Sequence, residues 1–596
     1  MPRDQPIPRN TRAAPHPNDA AGSDFDGNSE DEEPPDIGDD DIAENESDDG
    51  NAEEDSTVPP PSGPTSGTVW IEEHINHAQR EPENHWLNGI QAFDDTHCGP
   101  QLPANLINEP IHFFQLFFTE EIMTTFVTNT NHYAAMTDRR DWYPIDTNEF
   151  NTFFGLILYM GINRLPQRPM YWTNEIMKQP FVYEKMSYNR FNDILLTWHW
   201  TNTAPYNKQE VRERNKKDPF WSISPFVDAL AATSRKLYKP FRHCDIDEQC
   251  IPFKGRHLAK QYNKAKPNKW HFKVFALNCA RNGYLSNFYL YRGSAEVRPS
   301  DVSASNYPAF KLTDHDMYKG NWYLLFTDNW FTSFGSLKSM LSRQIYQVGT
   351  MRGNKLGDGK PYMFKPTDDI PRGSYKIMKH STEDVRMVCW QDNKPVILLS
   401  ALPIHPTEVI RHSHTGVAIT LPCPSILRLY NAAMGGTDSF DQRMSYYWPQ
   451  IRSYKWTVRV LVHFFYVAVL NSHILFREKN RLRRDQNNFS FLSFIETLAI
   501  QLTAVPSTKI RLPHRPRKAI SAEICPRRVI GTHTPCHVPL SKNAKTTLGC
   551  PRTLRKVCAV CKKDTTFMCA QCAVGLHIDI RGPDNCWETY HNADFH

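Results

Sequence analysis

In residues 106–242, the first segment whose pattern predicts a folded structure, apolar residues recur at helical spacing. A phenylalanine-rich segment precedes Thr119 and two acidic residues, and a threonine hydroxyl in that position is typical of a helix N-terminus. A second helix is predicted from near Thr147, because apolar side chains recur from Phe150 to Leu158. The pattern therefore predicts a mostly helical domain whose aromatic stripe lies in the core.

From residue 243 the pattern changes to that of strands. The segment Trp270–Cys279 is almost continuously apolar, and a turn containing Gly283 separates it from Tyr284–Tyr291, which predicts a hairpin. A further apolar strand ends in Asp328 and is followed by a helical and another strand-like segment. Alternating strands and helices of this kind predict a mixed α/β sheet.

Residues 353–424 are richer in glycine, proline and polar groups, and they contain short apolar segments such as Arg386–Trp390. This composition predicts an insertion with its own small β structure. Helical pattern returns near Gly435, where Thr437 is predicted to cap a helix. The apolar segment Val458–Phe476 is long enough to span a bilayer, but it contains charged and polar residues, so a buried helix rather than a membrane segment is expected.

Charge is distributed very unevenly along the 596 residues. Residues 1–60 hold 19 acidic and 3 basic side chains, so the remainder carries an excess of about 20 positive charges. Residues 1–105 are predicted to be disordered, because the segment from Asn18 to Asp55 has almost no large apolar side chains. A basic body favours a polyanion such as nucleic acid as partner, although a basic protein without one stays open. The acidic tail either aids solubility or competes with nucleic acid for that body.

Candidate chemistry lies in carboxylates beside apolar segments. Asp247 follows an apolar residue in a predicted strand, Asp328 ends another, and Asp438 and Asp441 share one face of a predicted helix. A buried carboxylate needs a compensating partner, and a pair of Mg²⁺ ions would provide one and support phosphodiester chemistry. Helix caps or salt bridges are the alternative explanation for each aspartate taken singly.

Three segments resemble the catalytic blocks of the piggyBac transposase family: Asp245–Gln249 with Phe253–Arg256, Thr327–Ser333, and Gly435–Gln442. Phe117–Ile122, Gly349–Lys355 and Ser453–Trp456 match the same family, in the same order. The resemblance implies that Asp247, Asp328 and Asp438 are a metal-binding catalytic triad, with Mg²⁺ or Mn²⁺, and that Asp441 is a fourth carboxylate. It also implies nicking of transposon ends, hairpin formation and insertion at TTAA.

The resemblance implies an α/β architecture: an RNase H-like catalytic core interrupted by a small β-rich insertion, flanked by helical DNA-binding and dimerisation segments. The predicted boundaries are a disordered tail (1–105), a first helical part (106–242), a first catalytic part (243–352), the insertion (353–424), a last catalytic part (425–447), a second helical part (448–505), a basic linker (506–554) and a cysteine-rich domain (555–596).

Basic residues near these blocks are predicted to contact DNA phosphates, which positions DNA without reading its sequence. Singly, each could be an ordinary surface charge. Arg352 and Lys355 are favoured by their place in a family motif, and the loop between Tyr262 and Trp270 by its flanking aromatic residues. The predicted DNA contacts are the basic residues Lys254, Arg256, Lys264, Lys266, Lys269, Arg352 and Lys355, together with Trp456.

Five of the fourteen cysteines fall between Cys558 and Cys586. With no secretory signal recognised at Met1, the cysteines are expected to be reduced, and two Cys-x2-Cys pairs then predict zinc rather than free thiols. The segment resembles the cross-braced, RING-like domain of the family, which implies two Zn²⁺ ions. The ligands predicted are Cys558, Cys561, Cys569, Cys572, His577, Cys586 and His591, with Asp579 as the candidate eighth ligand and Asp584 and His596 as less favoured alternatives.

The resemblance implies double-stranded DNA as the partner, a homodimer and a nuclear location. The cysteine-rich domain is expected to bind transposon-end DNA, while contact with chromatin stays open. The basic linker is either a nuclear localisation signal or a DNA-tracking tether. Two alternatives to an active transposase remain: a domesticated DNA- or chromatin-binding protein without transposition activity, and an RNase H-like nuclease without strand transfer.

Overall fold

The computed structural model describes two separate units, within residues 1–508 and 509–596. The described residues are 70–73, 90–137, 139, 142–173, 176–203, 205–356, 362–365, 369–412, 418–480, 489–504, 535–537, 540–545, 551–553, 556–558, 560, 564–570, 575–576 and 586–591. The predicted disorder of residues 1–69 lies outside the described residues.

The described residues contain the following helices: α1 (Pro110–Gln115), α2 (Glu120–Met136), α3 (Thr147–Ile162), α4 (Met170–Thr173), α5 (Pro180–Tyr183), α6 (Tyr188–Thr197), α7 (Lys208–Lys217), α8 (Ser224–Leu237), α9 (Tyr307–Leu312), α10 (Phe334–Ser342), α11 (Ser425–Ala433), α12 (Gly436–Tyr446), α13 (Trp456–Lys479), α14 (Phe491–Leu502) and α15 (Cys586–His591). Helical segments were predicted on both sides of the strand-rich region, and both groups form.

Helix α2 begins where the sequence predicts it, because the Thr119 hydroxyl accepts a hydrogen bond from the Ile122 amide at 3.4 Å. Helix α3 is capped by Asp146, whose Oδ1 accepts from the Glu149 amide at 2.8 Å. Phenylalanines of both helices are fully buried, and the Phe154 and Phe465 rings stack with centroids 4.7 Å apart. The predicted aromatic stripe is therefore core, as expected.

Helix α13 lies at the centre of this helical core. It is long and apolar enough to cross a membrane by length and composition, yet 94% of its most apolar window is buried inside the protein. Asn471 in this helix accepts from the Leu285 amide at 3.1 Å and donates to the Leu285 carbonyl at 2.9 Å. The prediction of a buried helix is confirmed.

The described residues contain the following strands: β1 (Trp70–Glu72), β2 (Gly99–Pro100), β3 (Tyr238–Lys239), β4 (His243–Pro252), β5 (Gln261–Tyr262), β6 (Trp270–Cys279), β7 (Leu285–Leu290), β8 (Leu324–Thr327), β9 (Tyr346–Thr350), β10 (Tyr375–His380), β11 (Arg386–Gln391), β12 (Pro395–Ser400), β13 (Pro406–His412), β14 (Ala418–Pro424), β15 (Pro535–His537), β16 (Leu540–Lys545), β17 (Pro551–Thr553), β18 (Lys556–Val557), β19 (Asp564–Thr565) and β20 (Phe567–Cys569).

A large mixed sheet runs through the first unit in the order β1-β10-β11-β12-β9-β8-β4-β6-β5, with β7 also paired to β6. Strands β4, β8 and β9 are parallel, while the β6–β7 pair is the antiparallel hairpin that the sequence predicts. Successive residues of β6 pack into different hydrophobic clusters: Val274 joins the helical core and Phe275 joins a second cluster. Both faces of this strand are covered, which explains its nearly continuous apolar sequence.

The structure differs from the predicted independent β structure of residues 353–424. Strand β12 pairs with β9, with Leu399 opposite Gly349, so β10, β11 and β12 continue the large sheet. Strands β13 and β14 alone form a separate two-stranded sheet there. The apolar pattern predicts these strands but cannot identify the edge onto which they add, since that depends on contacts distant in sequence.

Part of the predicted disordered tail is ordered. Strand β1 pairs with β10, placing Trp70 opposite His380, and Phe93 packs edge-on against Tyr323. A short apolar segment within a polar tail becomes ordered because the sheet offers it an unpaired edge.

In the second unit, β15 pairs with β20, placing Cys536 opposite Met568. Strands β15–β17 precede residue 555, so regular structure begins inside the segment that the sequence predicts to be a linker. The predicted boundary is therefore too late.

Candidate active site

Asp247 and Asp328 are brought together by two parallel strands. Ile246 of β4 lies opposite Thr327, the last residue of β8, so Asp247 within β4 and Asp328 directly after β8 are neighbours. The Asp328 Oδ1 accepts a hydrogen bond from the Trp330 amide at 2.8 Å, which fixes the turn that follows β8. The Asp247 Oδ1 accepts from the Glu248 amide at 2.7 Å. Both residues are only partly exposed.

Helix α12 carries the other two carboxylates, those of Asp438 and Asp441, next to β4. Hydrogen bonds to Asp245 hold the first turn of α12 against this strand. The Asp245 Oδ2 accepts from the Thr437 amide at 2.8 Å and from the Thr437 hydroxyl at 2.7 Å. The approach is so close that a Cβ on Gly436 would lie 2.0 Å from Asp245 Oδ1. Thr437 thus does not cap the helix as predicted, because it lies inside α12 and its hydroxyl binds a buried carboxyl group from the neighbouring strand.

Asp441, one turn after Asp438, accepts a hydrogen bond from the side-chain amide of Gln249. Gln249 is fully buried, and its Oε1 has no hydrogen-bond partner among the described residues. Alternate residues of β4, namely Asp245, Asp247 and Gln249, therefore contribute to one polar surface that faces α12.

The carboxylates perturb one another's ionisation. Burial, together with the smaller effect of the charges of Asp328 and Asp438, raises the pKa of Asp247 to about 7. Burial likewise raises the pKa of Asp441 to about 7, with added repulsion from Asp438 and Asp247. The pKa of Asp328 is also raised by burial, although Arg352 opposes the shift. Four acidic groups from β4, β8 and α12 therefore share one electrostatic environment.

Asp245 differs from Asp247 although only one residue separates them. Asp245 is fully buried, and burial raises its pKa to about 8, so it is mainly protonated at neutral pH. Its contacts are with Thr437 rather than with an open space. Asp245 therefore holds α12 in position, whereas Asp247 faces the other carboxylates.

Glu248 binds two lysines beside these aspartates. Its Oε2 lies 2.8 Å from Lys273 Nζ, and its Oε1 lies 3.4 Å from Lys266 Nζ. Although burial opposes ionisation, these lysines lower the pKa of Glu248 overall, so it is ionised at neutral pH. Lys266, a predicted DNA contact, thus forms an ion pair with Glu248, the residue that follows Asp247.

Arg352 and Lys355 lie against the turn that follows Asp328. Arg352 Nε donates to Asn329 Oδ1 at 2.7 Å, and Lys355 Nζ donates to the Trp330 carbonyl at 2.9 Å. Arg352 remains exposed. The structure therefore places both predicted DNA-binding residues next to the carboxylates.

The other predicted DNA contacts lie on two surfaces. Lys254, Arg256, Lys264 and Lys269 are exposed on the turn and loop that follow β4. Trp456, in contrast, packs edge-on against Phe220, with ring centroids 5.6 Å apart, and contacts His257. Its ring is half-buried in an aromatic cluster at the start of α13.

Sequence reasoning missed the supporting roles of Asp245, Gln249, Thr437 and Lys273. A signal for the first two was present in the period-two spacing of Asp245, Asp247 and Gln249, which places them on one face of a strand. No sequence signal connects β4 with Thr437, because the two are 192 residues apart.

Mg²⁺ fits the donor chemistry of this site. Carboxylate oxygens are its usual protein ligands, and a cation would reduce the repulsion that contributes to the raised pKa of Asp247 and Asp441. Within the residues that the structure describes, no three acidic, histidine or cysteine side chains are grouped tightly enough to be identified as a metal site. The aspartates thus interact electrostatically without forming a closed cage.

Three of the predicted zinc ligands, Cys558, Cys569 and Cys586, are buried in one small cluster of the second unit together with Leu576 and Tyr590. His591 ends α15, where its Nδ1 lies 2.8 Å from the Trp587 carbonyl. The remaining predicted ligands, Cys561, Cys572, His577 and Asp579, lie outside the described residues. Zinc binding therefore stays a prediction.

Comparison with known proteins identifies the class of protein. The family model described as Transposase IS4 matches residues 109–473, which include most of the helical core and all four carboxylates. Because this match covers more than half of the chain, it shows that the chain belongs to this transposase family, which is of the piggyBac type.

Human PiggyBac transposable element-derived protein 3 is 25% identical over 490 residues, which cover 79% of this chain and 75% of the relative. Human PiggyBac transposable element-derived protein 2 is 24% identical over 354 residues, which cover 58% of each chain. A chain in the cryo-EM structure of the piggyBac transposase synaptic complex with hairpin DNA matches with a TM-score of 0.58 and 23% identity, covering 68% of this chain and 83% of that one. The mixed α/β fold is shared.

Proposed function

We propose that the protein is a metal-dependent DNA transposase in which Asp247, Asp328 and Asp438 hold divalent ions, with Asp441 as a fourth carboxylate. The observation that carries this proposal is the mutual electrostatic influence of these aspartates, which come from β4, β8 and α12. Structural carboxylates are usually paired with cations, whereas here the charges of neighbouring aspartates add to the raised pKa of Asp247 and Asp441.

Bound Mg²⁺ or Mn²⁺ supplies Lewis acidity for attack on a phosphodiester and for departure of the leaving oxygen. The residues of this chain hold the carboxylates in place for that task. Asp245 fixes the first turn of α12, Gln249 orients Asp441, and the Trp330 amide orients Asp328. Arg352 adds an exposed positive charge beside Asp328, where a DNA phosphate would be attracted.

The proposed reaction cuts and rejoins DNA. Water first hydrolyses a phosphodiester at each transposon end and frees a 3′-OH, which then attacks the opposite strand to close a hairpin. After the hairpin is opened, the 3′-OH attacks target DNA at TTAA. The resemblance of the aspartate blocks to the family supports this sequence, and the matched solved transposase is in a complex with hairpin DNA.

The same resemblance supports further proposals about architecture and partners. The part of the large sheet that carries β4 and β8 would be an RNase H-like core, and the protein would act in the nucleus as a homodimer on double-stranded DNA. The second unit would bind two Zn²⁺ ions and recognise transposon ends, with the buried Cys558, Cys569 and Cys586 among the ligands. Contact with chromatin is the alternative role of that unit.

A domesticated protein that binds DNA without transposition is the second candidate. The observation in its favour is that the human relatives carry names that describe them as derived from transposable elements. All four carboxylates are nevertheless present here and interact, which favours retained catalysis.

Excision of a transposon whose ends match the gene's own flanking repeats separates the two candidates. Wild-type protein should excise it in a cell-based assay, and Asp247→Ala, Asp328→Ala and Asp438→Ala should each abolish excision while DNA binding persists. Alanine variants that excise as well as wild type would disprove the metal-site assignment. Specific end binding without excision by wild type would favour the domesticated role.

A further inference from the structure

Two aromatic side chains are exposed together at the edge of the large sheet. Tyr262 of β5 lies opposite Trp270 of β6, and their ring centroids are 4.7 Å apart. Tyr262 is 46% exposed and Trp270 is 44% exposed, unlike the buried aromatic residues of the core. This pair offers ring surface to the solvent at the edge of a sheet that also carries the carboxylates.

The surroundings of the pair are strongly basic. Lys260 Nζ lies 4.5 Å from the centroid of the Trp270 ring and donates to the Gly255 carbonyl at 2.8 Å. Lys260 thereby connects the aromatic pair to the turn that carries the exposed Lys254 and Arg256. Partial burial and the charge of Arg256 lower the pKa of Lys260. Such a cluster of neighbouring cations is complementary to a polyanion.

The loop that joins β5 to β6 is held in a defined conformation and reaches the candidate active site. The Asn263 amide donates to the Lys269 carbonyl at 2.9 Å, and Asn263 Oδ1 accepts from the Ala265 amide at 2.9 Å. Lys266 of this loop pairs with Glu248, the residue after Asp247. The exposed Lys264 and Lys269 therefore lie between the aromatic pair and the carboxylate region along one continuous loop.

We propose that the Tyr262–Trp270 pair stacks against unpaired bases of DNA whose backbone contacts the surrounding lysines and arginine. Stacking needs an accessible base face, which paired bases within a duplex do not present, whereas backbone contact does not distinguish the two forms. The pair would thus recognise DNA that is opened next to the cleavage site. This inference rests on the proposed DNA function.

A purely structural pair is the competing explanation, because cross-strand aromatic pairs stabilise hairpins. The two explanations differ in the DNA form that the pair affects. A base-stacking pair strengthens binding of DNA with unpaired bases selectively, while a structural pair affects duplex and opened DNA alike.

The test measures binding of the full chain, without added Mg²⁺, to a labelled duplex of about 30 base pairs and to the same duplex with about four mismatched central pairs, by fluorescence anisotropy. Wild type should bind the mismatched duplex about ten-fold more tightly. Trp270→Leu and Tyr262→Leu should each remove most of that preference while changing duplex affinity by less than about two-fold. Trp270→Phe should keep most of it, because a phenyl ring still stacks.

Two control variants separate stacking from charge and from surface aromatic residues in general. Lys264→Gln should weaken binding to both DNAs equally and reduce the dependence of affinity on salt. Tyr362→Leu, at a 40% exposed tyrosine outside this loop, should leave the preference unchanged. Equal binding of both DNAs by wild type, or equal weakening of both by Trp270→Leu, would overturn the inference alone. Absence of binding to either DNA would overturn the proposed DNA function as well.

Discussion

At the scale of single residues, two aspartates of one strand have different chemical roles. Asp245 and Asp247 project from the same face of β4, yet Asp245 is fully buried against Thr437 while Asp247 faces Asp328 and Asp438. A strand presents alternate side chains to one face, so spacing makes the two equivalent. The groups that surround each side chain, Thr437 at Asp245 and the other carboxylates at Asp247, give the two aspartates different roles.

Replacement by asparagine should distinguish the two positions. Asp247→Asn removes a carboxylate that is proposed to hold a metal ion, and it should lower DNA nicking by at least about a thousand-fold. Asp245→Asn should keep activity within about ten-fold, because Asp245 is mainly protonated at neutral pH and the amide oxygen still accepts from Thr437. Nicking of a supercoiled plasmid carrying transposon ends measures both variants. Equal loss of activity in both would contradict the assignment.

The raised pKa of Asp247 and Asp441, each about 7, predicts how stability depends on pH. A carboxyl group whose pKa is higher in the folded state favours folding below its unfolded pKa, and that contribution is lost as the pH rises to about 7. Metal-free protein should therefore lose on the order of 3 kcal/mol of stability per carboxyl group between about pH 4 and pH 7.

Urea unfolding at several pH values checks this dependence. Asp441→Asn should have a flatter profile than wild type, because the substituted group no longer ionises. Added Mg²⁺ should restore stability chiefly near neutral pH, where the aspartates are ionised. A variant profile parallel to that of wild type would show that Asp441 does not titrate in this range.

At the scale of secondary-structure elements, α12 and β4 meet at a distance that permits no side chain at Gly436. A Cβ there would lie 2.0 Å from Asp245 Oδ1, whereas a Cβ on the adjacent Gly435 meets nothing within 4 Å. The two glycines belong to one motif, but only Gly436 is required by packing.

Gly436→Ala should destabilise the first unit by about 1–3 kcal/mol and lower nicking, because α12 has to move away from β4 and carries Asp438 and Asp441 with it. Gly435→Ala is the matched control and should change the free energy of unfolding by less than about 0.5 kcal/mol. Thermal unfolding and plasmid nicking together measure both effects. Equal effects of the two substitutions would mean that the α12–β4 approach does not position the carboxylates.

At the scale of the whole molecule, the described residues of the second unit include a small buried cluster in which Cys558, Cys569 and Cys586 take part. A small unit of this kind is usually stabilised by metal ions or disulfides. If zinc serves that purpose, purified protein should contain about two zinc ions per chain, as elemental analysis would show.

Removal of the zinc should disrupt the second unit and leave the first folded. A strong chelator, or Cys558→Ser with Cys569→Ser, should abolish binding to transposon ends while the main thermal transition is preserved. Substitution of Cys389, a buried cysteine in β11 of the first unit, by serine is the control and should leave zinc content unchanged. Unchanged end binding after zinc removal would contradict the proposed role.

The sequence by itself determined the local elements and the candidate chemistry. Helix starts such as Thr119, the hairpin around Gly283 and the burial of α13 follow from capping, turn preference and apolar pattern, which act over a few residues. The family motifs also singled out the aspartates that the structure brings together.

The tertiary structure alone decided which distant groups meet. It placed Thr437 on Asp245 instead of at a helix cap, continued the sheet through β12, and ordered β1 against β10. It also tied Lys266 to Glu248 and left Tyr262 and Trp270 exposed together. These outcomes depend on pairing between segments up to about three hundred residues apart, and local propensity carries no information about such pairing.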